Sequence, residues 1–370
     1  MKTCISLLLA FSFSTIALGK VLTVSNNPDH PAQFPDVQAA ITAATNGDTI
    51  YVHGSQFTYP DFTINKKLVV IGAGYNSNNQ FNQPTRVGTI YFIRDTGLQD
   101  GSSSTLTGFL VTSSIYGCGN NGGQLVISNI KFFRNQLNGT LYLYNPCCSP
   151  TSMATNWTIY NNLINIIASG SGGSTSQSAS NITIQNNIIF DNVNGFSMSS
   201  VLIDHNVFQG SEALNNLYYA TISNNIFVMT TGNILAANVN FNTFNKNLSM
   251  LTTVGPNAPT NSFAGGSNTE SGNFIAVDPK FVNVPNLNSY SYSFDYRLST
   301  SSTVRNAGTD GTDLGIYGGA FPYPSGGASG SGYDTSPLPP IPQVTEVNIL
   351  NATLQPGSSL NVNVKAKVNN

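Results

Sequence analysis

Apolar and polar residues follow one another through the middle of the chain in a short unit that keeps returning. Ile127-Ser128-Asn129-Ile130-Lys131-Phe132 is followed by Ile159-Tyr160-Asn161-Asn162-Leu163-Ile164 and by Ile184-Gln185-Asn186-Asn187-Ile188-Ile189. Ile203-Asp204-His205-Asn206-Val207-Phe208, Ile222-Ser223-Asn224-Asn225-Ile226-Phe227 and Val239-Asn240-Phe241-Asn242-Thr243-Phe244 continue the series. Aligning Asn129, Asn162, Asn187, Asn206, Asn225 and Asn242 gives separations of 33, 25, 19, 19 and 17 residues. The shorter spacings suit one coil of a β-solenoid, and the longer ones predict loops inserted at a turn. A helical repeat would need ten or more residues of 3.6 period in each unit, and none is visible. An antiparallel β-sandwich rich in turns is the competing reading.

The asparagines give this pattern a physical cause. A strand that bends sharply needs a residue that tolerates the left-handed conformation, and Asn does. Coils stacked about 4.8 Å apart let equivalent amides hydrogen-bond along the stack. The six aligned asparagines are therefore expected to form one ladder along one edge. The flanking Ile, Val and Phe are expected to point inward, each coil burying its apolar face on its neighbours.

Pro35 to Ala44 reads as a capping helix, with Asp36 as N-cap and an apolar stripe at Val37, Ala40, Ile41 and Ala44. Strands are expected at Thr49 to His53, Phe62 to Ile64 and Leu68 to Gly72. This opening resembles the N-terminal cap and first coils of secreted right-handed parallel β-helix proteins of the pectate-lyase-like fold. Val277 to Val282, Asp295 to Leu298 and Gly308 to Gly319 resemble the way such domains finish. The resemblance covers about residues 20 to 322 and implies an all-β parallel solenoid.

Domain organisation follows from composition. Lys2, the apolar run Ile5 to Leu18 and the small residues before Lys20 make residues 1–19 a secretory signal peptide, implying an extracellular or cell-surface location. Residues 20–321 form the β-helix domain, and the Pro/Gly/Ser-rich stretch 322–343 a linker. Residues 344–370 read as a short C-terminal β-hairpin whose apolar face needs a partner surface, either the solenoid or the rest of a longer module. Cys4 leaves with the signal, so Cys118, Cys147 and Cys148 allow at most one bridge, from Cys118 to Cys147 or Cys148.

Charged residues are 8 % of the chain and net charge is −2, so no basic field is available for nucleic acid. No stretch after the signal is long and apolar enough for membrane insertion. The resemblance implies polysaccharide lyases, esterases or glycosidases as possible activities, and each can be weighed against the residues. Val201-Leu202-Ile203-Asp204-His205-Asn206 resembles the strand bearing a calcium-binding Asp in pectate lyases, making Asp204 and His205 the catalytic candidates. In register, however, Asp204 should lie beside Gln185 and Ser223, with no second carboxylate. Residues 135–245 hold no Lys or Arg that could serve a lyase as base. Both residues are expected to face solvent and to bond to the ladder. Asp310 and Asp313 are the candidate metal pair, calcium being the one cofactor the residues leave open, although turn-making is the plainer role for a Gly-rich segment.

What remains is surface chemistry. Asn, Ser, Thr and Tyr can bond sugar hydroxyls while aromatic rings stack on sugars, and Tyr142, Tyr144, Trp157 and Tyr160 cluster in sequence. The residues therefore point to a non-catalytic secreted β-helix protein that binds a polysaccharide or cell-surface glycan, or has a structural or adhesive role. A polysaccharide-degrading enzyme with an atypical site is the alternative.

Overall fold

A computed structural model describes residues 19–76, 83–95, 97–119, 126–143, 153–169, 179–196, 200–229, 232–250, 263–323, 342–350 and 357–368. The expected signal segment lies outside these residues apart from Gly19. So does the bridge from Cys118 to Cys147 or Cys148, since neither Cys147 and Cys148 nor the Cys118 side chain is described.

The chain folds as a right-handed parallel β-helix. One face is an 11-stranded sheet that runs from Val21–Val24 to Thr269–Ser271 in chain order. A second, 16-stranded sheet runs beside it from Phe62–Ile64 to Phe274–Ile275. Within both sheets strands pair in parallel, each with its equivalent in the next coil, as in Ile159↔Ile184, Ile184↔Ile203 and Ile203↔Ile222. The inward column of the first sheet is thus continuous: Ile50, Val70, Leu106, Phe132, Ile159, Ile184, Ile203, Ile222 and Phe244 are all fully buried. The next position in that column is Glu270, paired in register with Phe244 and exposed. The apolar column ends where a charge takes the apolar residue's place.

The other end is closed by the helix Val37–Ala43. Asp36 accepts from the Ala39 amide at 2.7 Å as N-cap, and Val37, Ala40 and Ile41 are buried. At the helix C-terminus Lys66 Nζ donates to the carbonyls of Ile41, Thr42 and Ala44 at 2.9, 2.9 and 2.7 Å, a cation on the end that carries partial negative charge.

The repeated Asn-Asn-apolar-apolar unit has a different geometry from the one its sequence suggests. Where the chain turns from the first sheet to the second, each coil places two residues with separate tasks. The first, among them Arg134, Asn161, Asn186, His205, Asn224 and Lys246, takes the left-handed conformation, with φ between 52° and 58°. The second turns its amide inward and forms the ladder. Of the two apolar residues that follow, Ile164, Ile189, Phe208 and Phe227 join the main core, whereas Leu163, Ile188, Val207, Ile226 and Leu248 belong to a separate apolar cluster. The expectation that all flanking apolar residues face inward is corrected: consecutive strand residues point to opposite faces, and both faces are buried. The outer cluster is covered by C-terminal residues, including Phe294, Tyr296, Leu298, Val304, Leu314, Ile316 and Tyr323.

The hairpin Pro342–Ile349 and Val362–Val368 is antiparallel and pairs Val347 with Val364 and Ile349 with Val362. Its apolar face is exposed, with Val347 at 57 % and Val364 at 52 %.

Candidate functional site

The amide ladder contains Asn135, Asn162, Asn187, Asn206, Asn225, Asn247 and Asn273. Each Nδ2 donates to the Oδ1 one coil on, at 3.2, 3.0, 3.0, 2.9, 2.9 and 3.3 Å in chain order. Asn162, Asn187, Asn206 and Asn225 thus share one column, as aligned from the sequence. Asn129 and Asn242 do not, and the structure corrects both placements. Asn129 stands at the opposite corner, exposed and left-handed (φ 60°). Asn242 also lies at that opposite corner, buried, accepting from the Ala220 amide at 2.9 Å and donating to Asn268 at 3.2 Å. The two corners carry similar residues for similar reasons, and a single alignment merges them.

The opposite corner, which leads into the first sheet, is where a candidate site emerges. Its left-handed column comprises Ser103, Asn129, Asn156, Asn181, Tyr219, Phe241 and Ser267, with φ between 53° and 60°. Ser and Asn suit this conformation because a short polar side chain relieves the clash that the left-handed backbone imposes. Tyr219 and Phe241 do not suit it, and their rings gain little from burial, being 61 % and 52 % exposed. The two rings stack on each other, centroids 5.5 Å apart and planes 11° from parallel. Bulky residues held in an unfavourable backbone state without burial point to a role other than stability.

Beside Tyr219 lies an open groove of about 420 Å³ lined by Asn181, Thr183, Ser200, Leu202, Tyr219 and Thr221, over the buried Ile182 and Val201. All of its lining residues are uncharged. Thr183, Leu202, Thr221, Thr243 and Thr269 follow one another in register, and Thr269 Oγ1 donates to Thr243 Oγ1 at 3.2 Å. The groove therefore offers hydroxyl and amide groups around an apolar centre, with an aromatic wall on one side. Sequence reasoning missed Tyr219 and Phe241. The available signal was their place two residues before a first-sheet strand, where other coils use Ser or Asn.

The aromatic residues singled out from the sequence do other things. Trp157 is fully buried, edge-on to Phe92 at 5.3 Å, and its Nε1 donates to the Ile127 carbonyl at 3.0 Å. Tyr160 is stacked between Phe133 at 4.7 Å and Phe321 at 4.3 Å. Tyr142 stacks on Tyr116 at 5.0 Å, and Tyr116 on Tyr91 at 5.3 Å. Tyr144 is outside the described residues.

Asp204 lies beside Gln185 and Ser223 in register, but the expectation that Asp204 and His205 face solvent is corrected: both are buried. They lie under the returning C-terminal segment, which the local sequence does not reveal. Asp204 Oδ1 accepts from Ser223 Oγ at 2.7 Å and Asn224 Nδ2 at 2.8 Å. Asp204 Oδ2 accepts from Gln185 Nε2 at 3.0 Å and lies 2.9 Å from His205 Nδ1. Burial alone would raise the Asp204 pKa, but the hydrogen bond and charge of His205, with Ser223 and Gln185, hold it below the ordinary value. The far side of the ring meets the C-terminal segment, His205 Nε2 being 3.2 Å from Thr312 Oγ1 and 3.7 Å from Asp310 Oδ1.

Asp310 and Asp313 are occupied as turn-makers. Asp310 Oδ1 accepts from the Thr312 amide and hydroxyl at 3.0 and 2.8 Å, and Asp313 Oδ1 from the Asn306 amide at 2.8 Å. Among the described residues, no group of three or more His, Cys, Asp or Glu side chains comes together in a way that could hold a metal ion. No family model and no curated protein matches the chain.

Proposed function

We propose that this chain is a secreted or cell-surface protein that binds a neutral carbohydrate without cleaving it, through the groove beside Tyr219 and Phe241. The observation that carries this reading is the pair of stacked, exposed aromatic rings placed where the backbone favours Asn or Ser. A pyranose ring has an apolar C–H face and a rim of hydroxyls. Tyr219 and Leu202 meet the first requirement, while Asn181, Thr183, Ser200 and Thr221 supply donors and acceptors for the second. An uncharged lining favours a neutral sugar, since a polyuronate brings carboxylates that need cationic partners.

The test is a glycan array combined with a reducing-sugar release assay on the same polysaccharides. Binding of a neutral glycan without release of reducing ends is expected. Tyr219→Ala and Phe241→Ala should each weaken binding by about tenfold, the loss of one aromatic contact. Binding unaffected by both substitutions, or release of reducing ends from the bound glycan, would overturn the reading.

A further inference from the structure

The last part of the β-helix domain, Val304–Tyr323, runs back along the solenoid instead of extending it. It crosses four consecutive coils at the corner that carries the ladder, and it does so through the left-handed residue of each. Asn224 Nδ2 donates to Thr309 Oγ1 at 2.9 Å, and His205 Nε2 lies against Thr312 Oγ1. Asn186 Nδ2 donates to the carbonyls of Ile316 and Gly318 at 3.1 and 2.7 Å, and Asn161 Nδ2 to that of Phe321 at 2.7 Å. The approach is close. A Cβ on Gly319 (φ +73°) would lie 2.7 Å from the His205 ring.

The amide ladder and this strap respond differently to acid. Ladder contacts are amide to amide or amide to carbonyl, and no member changes charge with pH. The strap junction instead gathers Asp204, His205 and Asp310 around one ring. Of the other charged groups, Asp313 accepts from the Asn306 amide, Arg305 on the strap is exposed, Arg134 belongs to the coil before Asn161, and Lys246, one coil after Asn224, lies over the Phe274 ring.

We propose that Val304–Tyr323 is a strap latched to the solenoid by the Asp204–His205–Asp310 cluster, and that acid unlatches it before the solenoid itself opens. Both carboxylates titrate below their ordinary value. Burial opposes this, but His205 and Asp204's other donors favour charged Asp204, and Thr312 with His205 favours charged Asp310. The sign follows from linkage: their contribution is present above the unfolded value of 3.8 and is lost as pH falls through the lower folded values. With both carboxyls neutral, the charge-assisted contacts that tie Asp204 to the ring of His205 and Asp310 to Thr312 weaken, and the latch loosens. Lifting also removes Leu314 and Ile316 from the apolar cluster they share with Ile188, Val207 and Ile226, so the acid form would expose apolar surface.

Hydrogen exchange on the full chain, corrected for the intrinsic pH dependence of exchange, tests this directly. The strap amides of Gly315, Gly319 and Tyr323 bond to the Asn224 carbonyl, Thr312 Oγ1 and the Ile316 carbonyl. Between neutral pH and pH of about 3, these should lose protection by at least about tenfold while Asn187, Asn206 and Asn225 stay protected. Asp310→Asn keeps an acceptor for Thr312 but removes the charge, so its strap should exchange faster at neutral pH and respond less to acid. Asp204→Asn is the second variant, expected to act in the same direction. Strap and ladder opening together, a strap protected throughout the acid range, or a wild-type acid profile in Asp310→Asn would each overturn the proposal.

Discussion

Asn206 Nδ2 and the backbone amide of Asn206 both donate to the same oxygen, Asn225 Oδ1, at 2.9 and 2.8 Å. Asn206 repeats the arrangement one coil earlier, accepting from the amide and the Nδ2 of Asn187. Its Nδ2 also donates to the carbonyls of Ile184 and Asp204. A single side chain thereby satisfies polar groups in three coils at a fully buried corner. Asn206→Ala would leave several of them unpaired, and a loss of about 1–3 kcal/mol in denaturant unfolding is expected. Asn129→Gly, at an exposed left-handed position, should change stability by no more than about 0.5 kcal/mol. Equal midpoint shifts for the two variants would argue against the ladder as the stabilising element.

That contrast also shows how much the sequence disclosed. The parallel solenoid, the capping helix and the ladder members Asn162, Asn187, Asn206 and Asn225 were legible, because a repeat with inserted loops still presents the same residue at the same corner. Asn129 and Asn242 were misplaced because both corners need left-handed backbone and both use Asn. Asn135 was hidden behind Arg134, and Asn247 behind Lys246, where the usual Asn-Asn pair is broken. The site beside Tyr219 was not legible. An aromatic residue in a strand-rich sequence reads as core, and only the backbone angle and the exposure of the ring reveal otherwise. Asp204 and His205 look like surface residues in the sequence because their cover comes from residues about a hundred positions later.

Glu270 occupies the inward column position after Ile222 and Phe244. An exposed charge at that register position, accepting from Asn273 Nδ2 at 3.2 Å, discourages a further strand from adding to the last strand of the sheet. Glu270→Leu should therefore promote association of the chain, seen as an increased mass by light scattering at unchanged circular dichroism. A variant that stays at wild-type mass would show that other residues protect this edge.

Tyr219 and Phe241 set backbone strain against ring stacking. A left-handed residue other than Gly or Asn costs about 1–2 kcal/mol, whereas one exposed aromatic pair contributes about 0.5–1.5 kcal/mol. Replacing both by Asn relieves two strained positions and loses one stack. The double variant should be more stable than wild type by roughly 0.5–3.5 kcal/mol, and should lose glycan binding. A less stable double variant that still binds would place the function elsewhere.

Asp48 ties the first strand to the cap. Its Oδ1 accepts from the Lys20 amide at 2.8 Å, and its Oδ2 from the Thr45 amide and hydroxyl at 2.7 and 2.9 Å. The Thr45 and Lys20 amides hold its pKa below 3.8, so its contribution is present above that value and is lost as pH falls through the folded one. Asp48→Asn should lower the melting temperature at neutral pH and bring it closer to wild type in strong acid. A difference that stays constant across the acid range would remove Asp48 from the pH response.

Asp204 is the residue on which a lyase reading depends, and its surroundings decide what its substitution should do. A calcium ion takes six to eight oxygen ligands, and a carboxylate that serves it must have lone pairs to offer. Each Asp204 oxygen already has two partners: Ser223 and Asn224 on one, Gln185 and His205 on the other. The ring of His205 is closed in by Gly318 and Gly319, so a polymer has no path to it. Chelating calcium should therefore leave the melting temperature unchanged. Polygalacturonate and alginate should yield no unsaturated product with or without the metal. Asp204→Asn should act on stability instead, costing about 2–4 kcal/mol as the buried charge and one of its two accepting oxygens are lost. A calcium-dependent rise in ultraviolet absorbance that Asp204→Ala abolishes would identify the chain as a lyase and displace the binding reading.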